Sequence, residues 1–173
     1  MGIALLTLAL MGTLSLLGTT VLAYGGLAGP LWMKRHFLAA LGTTFLLVMA
    51  HSFIMFFLIA TGVELKKLEK EKSWGDSFRR RTIALKSRVF PAMTLALLLV
   101  LANFVLGAAA HTHALPSWIH EGLAWTTLLV CLVALHREYA VLGENNRLIA
   151  EAASRREDRK APGTTSTIDS LTP

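Results

Sequence analysis

The sequence predicts an all-α integral membrane protein, a four-transmembrane-helix bundle with its N and C termini cytoplasmic. Three observations predict it. Mean hydropathy is +0.54, with 54% hydrophobic and only 16% charged residues, a balance typical of polytopic membrane chains rather than of soluble domains. Four apolar stretches each have the roughly 20 residues that cross a bilayer core about 30 Å thick. Lys and Arg are also unevenly placed. Nine lie between the second and third stretches and six from Arg137 onward at the end of the fourth, against two between the first and second and none between the third and fourth. The positive-inside rule puts the crowded segments, and with them both termini, in the cytoplasm.

The first span, residues 3–24, carries no charge. Val21, Leu22 and Ala23 have the spacing of a signal-peptide cleavage site, but the basic leader and short apolar core of a secretory signal are missing. The span is therefore expected to be a retained helix. Gly25, Gly26, Gly29 and Pro30 end it as a turn. Trp32, Lys34 and Arg35 form an interfacial link. The second span, residues 36–63, meets no Lys, Arg, Asp or Glu until Glu64. Residues 64–88 form a basic cytoplasmic loop. Its first part mixes Glu and Lys at helical spacing, so the second helix should project into water. Trp74, Gly75 and Asp76 make the turn, and residues 77–88 read as a basic amphipathic lead into the next span.

The third span, residues 89–110, has Pro91 in its first turn and Asn103 as its one strongly polar interior residue. The fourth covers residues 117–142. Residues 1–142 thus form the membrane domain, and residues 143–173 a polar helix followed by a low-complexity tail.

Composition excludes several functions. The formal charge of +6 would suit nucleic acid, but the basic residues sit beside apolar spans, where topology requires them. A lone cysteine, Cys131, can form neither an internal disulfide nor a Cys-rich metal site. There is no Gly-x-Ser-x-Gly, no His-Glu-x-x-His and no phosphate-binding loop of Walker type. The spans also lack the paired Gly/Pro breaks of a transporter.

The six histidines carry the functional reading. With this topology His36, His111, His113 and His120 gather at the outer face, His51 lies near mid-membrane and His136 toward the inner face. An ionisable side chain in a span is costly without a partner. Spans two and four run in the same direction, and each has one histidine near its start and a second one deeper. His36 and His51 are 15 residues apart and His120 and His136 are 16 apart, or about 22 and 24 Å along a helix. Parallel helices with such pairs can stack one haem above another, because a neutral imidazole nitrogen binds iron from each side of the porphyrin. The expectation is an inner haem held by His51 and His136, and an outer one held by His36 with His111, His113 or His120. Lys34 and Arg35 are available to the propionates.

Helical geometry limits this scheme. At about 100° per residue His36 and His51 share a face, whereas His120 and His136 point about 160° apart, so a straight fourth helix cannot aim both at one neighbour. Other roles stay open: His51 hydrogen-bonded to Asn103 or a backbone carbonyl, or handling a proton or ion, His136 at the interface, or His111, His113 and His120 solvated in the loop or around Zn or Cu.

In architecture the arrangement resembles the four-helix cytochrome b subunits of quinone-linked respiratory complexes. The resemblance implies a multi-pass b-type electron-transfer subunit, and the compactness of the chain suggests a bacterial inner (cytoplasmic) membrane. Such a subunit holds one or two haem b groups and passes electrons between quinone and a partner redox subunit, within a larger oxidoreductase. The alternatives are a cofactor-free accessory or scaffold subunit, with a cytoplasmic partner docked at residues 64–88, and an outer-face metal-binding protein. No nucleic acid is expected as a partner.

Overall fold

A computed structural model describes residues 1–24 and 30–158. The glycine turn before Pro30 and the tail from residue 159 lie outside the described residues. Four helices follow in order: α1 (Gly2–Tyr24), α2 (Pro30–Lys72), α3 (Ser77–His111) and α4 (Ser117–Asp158). All four are long and apolar enough to cross a membrane. Sequential helices pack side by side and α4 closes the ring against α1. Across the bundle the backbones of α2 and α4 approach each other, while those of α1 and α3 stay further apart among the described residues.

The bundle is apolar outside and partly polar within. Leu14, Leu17 and Val21 on α1, and Phe45, Phe53 and Phe56 on α2, point outward. So do Leu98, Leu101 and Val105 on α3, and Leu129, Leu132 and Val133 on α4. A belt of this kind suits contact with a lipid bilayer. Thr13, Thr20 and Thr127 are buried, and each hydroxyl donates to the carbonyl four residues earlier, so none is left without a partner. Small residues bring the backbones close. At Gly12 a Cβ would lie 2.8 Å from Leu47 Cδ2, a space only glycine leaves open.

Beyond the apolar belt α2, α3 and α4 continue past the start of α1, where Gly2 lies against Asn146. The basic segment at 64–88 is therefore a helical hairpin, with α4 laid against it. Arg81 pairs with Glu151 at 2.7 Å and Arg88 with Glu144 at 2.8 Å. Because α3 begins at Ser77, Pro91 falls well inside the helix rather than in its first turn, and removes one rung of the hydrogen-bond ladder.

The turn of the hairpin is set by Glu69. Ser73 and Gly75 take left-handed backbone angles, φ 53° and 77°. The residue at the N-cap of α3, Asp76, makes no capping hydrogen bond with its side chain. The carboxylate of Glu69, only 4% exposed, reaches over from α2 instead. It accepts the Phe78 N–H at 2.5 Å and the Arg79 N–H at 3.0 Å. A negative charge on the first-turn donors of a helix is favourable both as a hydrogen bond and against the helix dipole. Phe78 is fully buried beneath this contact, with the Trp74 ring 5.8 Å away and the Arg155 guanidinium 5.1 Å from its centroid.

Glu69→Ala strands both backbone donors and is expected to lower stability by about 2 kcal/mol, in the range for unsatisfied groups. Asp76→Ala should stay within about 0.5 kcal/mol of the parent, as surface changes do. Unfolding of the two variants in the same detergent compares them directly.

Candidate functional site

Two polar centres sit inside the apolar bundle. The first is at its middle. His51 on α2 and Glu138 on α4 meet across the diagonal, Nδ1 to Oε1 at 2.6 Å, and both side chains are 0% exposed. The far atoms of the pair, His51 Nε2 and Glu138 Oε2, are buried without a hydrogen-bond partner. Glu138 gets there by periodicity. Ala124, Cys131, Glu138, Asn145 and Ala152 recur every seventh residue and all are buried, forming the core stripe of α4. That stripe could have revealed Glu138 in the sequence. Its charge and its place beside His136 and Arg137 had marked the region as interfacial.

The same periodicity turns His136 away. Two residues before Glu138 is about 200° around the helix, and His136 is exposed on the outer face. The expected inner haem pair, His51 with His136, is therefore not brought together. His51 is fully buried, and its ring contacts Glu138 instead.

One polar layer further along, the Thr61 hydroxyl lies 3.1 Å from Asn145 Oδ1. Parallel helices in fixed register explain the recurrence. Thr61 and Asn145 are 84 residues apart and His51 and Glu138 are 87 apart.

The second centre is a cavity of about 1120 Å³ at the other end of the bundle, walled by all four helices. His36 and His120 both line it, again across the α2–α4 diagonal. His36 is half-buried. Its Nδ1 lies 3.1 Å from the Thr19 carbonyl, which can only accept, so Nδ1 carries the proton and Nε2 the lone pair. Deeper in, Thr43 Oγ1 bridges Ser15 and Thr19 at 2.6 and 3.0 Å. His120, also half-buried, rests on Gly107, where any Cβ would come within 2.8 Å of its Cε1. His120 Nδ1 and Asn103 Oδ1 are buried and unpartnered on the cavity wall. Phe37 and Phe104 face each other beside them, with centroids 6.2 Å apart. Trp125 Nε1 donates to Tyr24 Oη at 3.0 Å and joins α4 to α1 at the edge.

No protein-family model, curated protein or solved structure matches the chain. The geometry sorts the remaining residues. His111 and Lys34 line the cavity and are exposed, which places them at its rim. His113 is exposed in the short link before α4, with φ 60°, and is not part of the wall. Arg35 is exposed and holds its guanidinium over the Trp32 ring, 5.7 Å from the centroid. His111, His113 and His120 do not converge as a three-ligand centre, and no other group of three or more His, Cys, Asp or Glu does so among the described residues. His120 faces into the bundle, away from the solvated link that carries His113.

Removing one member of a buried charged pair leaves the other uncompensated, at about 3–5 kcal/mol, whereas replacing both with apolar residues is much less costly. His51→Ala should therefore destabilise the chain by about that amount. The double variant His51→Leu/Glu138→Leu should recover most of the loss, as read by unfolding in detergent.

Proposed function

We propose that the chain is a b-type electron-transfer subunit of a quinone-linked membrane complex, holding a single haem in the histidine-lined cavity between His36 and His120. One observation carries this reading. Two imidazoles on diagonally opposed helices face a common cavity of about 1120 Å³, slightly above the usual range of small-molecule and cofactor pockets, about 300–1,000 Å³. The hydrogen bond from His36 to Thr19 leaves Nε2 free for iron and fixes the ring, as outer-shell carbonyls do for metal-ligating histidines. Gly107 gives His120 its seat against α3. Phe37, Phe104, Leu16 and Val100 offer apolar walls to the porphyrin faces, and Lys34 at the rim suits a propionate. When bound, the haem supplies reversible one-electron chemistry, which its axial ligands and burial tune.

In this reading the two-haem stack reduces to one site, and His113 and Arg35 drop out of it. The apolar belt lies in the membrane of a bacterial cell. The excess of Lys and Arg at the hairpin end orients that end to the cytoplasm, so the cavity opens toward the outer face. The helical hairpin is then the docking surface for a cytoplasmic subunit.

A second reading has its own observation. Asn103 Oδ1 and His120 Nδ1 are unpartnered on the cavity wall, and a hydroquinone offers two O–H donors. The cavity would then hold the quinol itself.

The test is a reduced-minus-oxidised visible spectrum of the chain purified from its native membrane, with haem quantified. Sharp b-type bands are expected, lost in His36→Ala and His120→Ala and retained in His113→Ala and His136→Ala. A flat spectrum would overturn the haem reading, and co-purifying quinone that is lost in Asn103→Leu would then favour the second.

A further inference from the structure

The cavity leaves the buried pair at the centre of the bundle without a task. Every other buried polar layer across α1, α2 and α4 is built from neutral groups: Ser15, Thr19 and Thr43 in one, Thr61 and Asn145 in another. Among the described residues only the central layer uses two ionisable side chains, although a neutral amide and hydroxyl serve the same packing role one layer away. It also leaves one protonatable atom on each partner unengaged, His51 Nε2 and Glu138 Oε2. Ionisable groups inside a span are expensive, and proton relays are one of the uses to which they are put.

The surroundings leave the charge of the pair to its own two members. From the start of α1 to Tyr24 there is no ionisable side chain, and α3 has none between Arg88 and His111. On α2 His51 is the one ionisable residue between His36 and Glu64. On α4 the neighbours are Cys131, on which Glu138 acts electrostatically, His136 and Tyr139, both exposed on the outer face, and Arg137, whose guanidinium turns to the Arg88 carbonyl at 3.5 Å.

We propose that His51 Nε2 is a proton-binding site that takes up and releases one proton while Nδ1–H stays on the Glu138 carboxylate. With both ring nitrogens protonated the imidazolium–carboxylate pair is neutral. Release of the Nε2 proton leaves an imidazole beside a carboxylate, with one negative charge and one free proton, and no electron moves. The contact with Glu138 selects which nitrogen exchanges, because the hydrogen bond at one imidazole nitrogen sets the state of the other. A polar step lies toward the hairpin end. Asn145, with its Nδ2 buried and unpartnered, sits seven residues along α4, about 10 Å from Glu138. This inference goes beyond the haem reading and does not rest on it.

The test uses the full-length chain in lipid nanodiscs without haem, its histidine rings labelled with 15N and 13C. The His51 signal is identified by its absence from His51→Gln. As the pH rises from about 5 to about 8, the range in which histidine charge normally changes, His51 should pass from the imidazolium pattern to a neutral ring protonated at Nδ1. In Glu138→Gln that passage should move to lower pH or vanish, with the other histidines unchanged. The proposal is overturned if His51 in the parent chain keeps one pattern throughout, or if its neutral form carries the proton on Nε2. The parent titration decides the matter even where Glu138→Gln fails to fold, and it stands whether or not haem is found.

Discussion

The register between α2 and α4 is the constraint on which the rest of the bundle depends. These two helices run parallel across the diagonal, and the contact between His51 and Glu138 locks them at one offset. At a similar offset Thr61 meets Asn145 and His36 faces His120 over the cavity. A slip of one helical turn, about 5.4 Å, would break all three relations together. It would leave two ionisable side chains in an apolar interior, where each unpaired charge is strongly disfavoured. The pair is thus a device for specifying alignment as much as a source of stability, a use for which buried polar groups are best attested.

Around this axis the chain divides its polar groups by depth. In the belt region most of them turn inward or bond back to their own helix, as Thr13, Thr20 and Thr127 do, while His136 is exposed on the outer face. At the hairpin end they turn outward and pair between helices, as Arg81 does with Glu151 and Arg88 with Glu144. Exposed pairs of this kind contribute little each, about 0–1 kcal/mol. The firm contact there is the buried one, the Glu69 carboxylate on the first turn of α3.

Much of this was legible in the sequence, and the misses share a cause. Four helices, the turn at residues 74–76 and the continuation of α2 beyond its apolar run all follow from local signals: unbroken apolar runs, Gly and Pro, and Glu–Lys spacing. Depth was legible too. His136 lies 85 residues after His51, close to the 87 that separates His51 from its true partner. Azimuth was not. A helix rotates by about 100° per residue, so an error of two residues at the right depth selects the opposite face. A fixed rotation of α4 requires its whole buried stripe, and that stripe contains Glu138, whose charge argued against burial. At the cavity, the identities of His36 and His120 could be read, but not the Gly107 seat or the Thr19 carbonyl, since both depend on which backbone stands behind each ring.

The unequal lengths of the helices give the molecule a fixed outline. α1 begins beside Asn146, while α4 runs on to Asp158 with the α2–α3 hairpin at its side. Those twelve further residues of α4 measure about 18 Å, so the hairpin and α4 stand out together as a three-helix stalk. Its tip, around the Trp74 turn, is cross-braced by Phe78 and Arg155 and capped by Glu69. A stalk of fixed height acts as a spacer. Whatever rests on its tip stands about that distance from the plane where α1 begins.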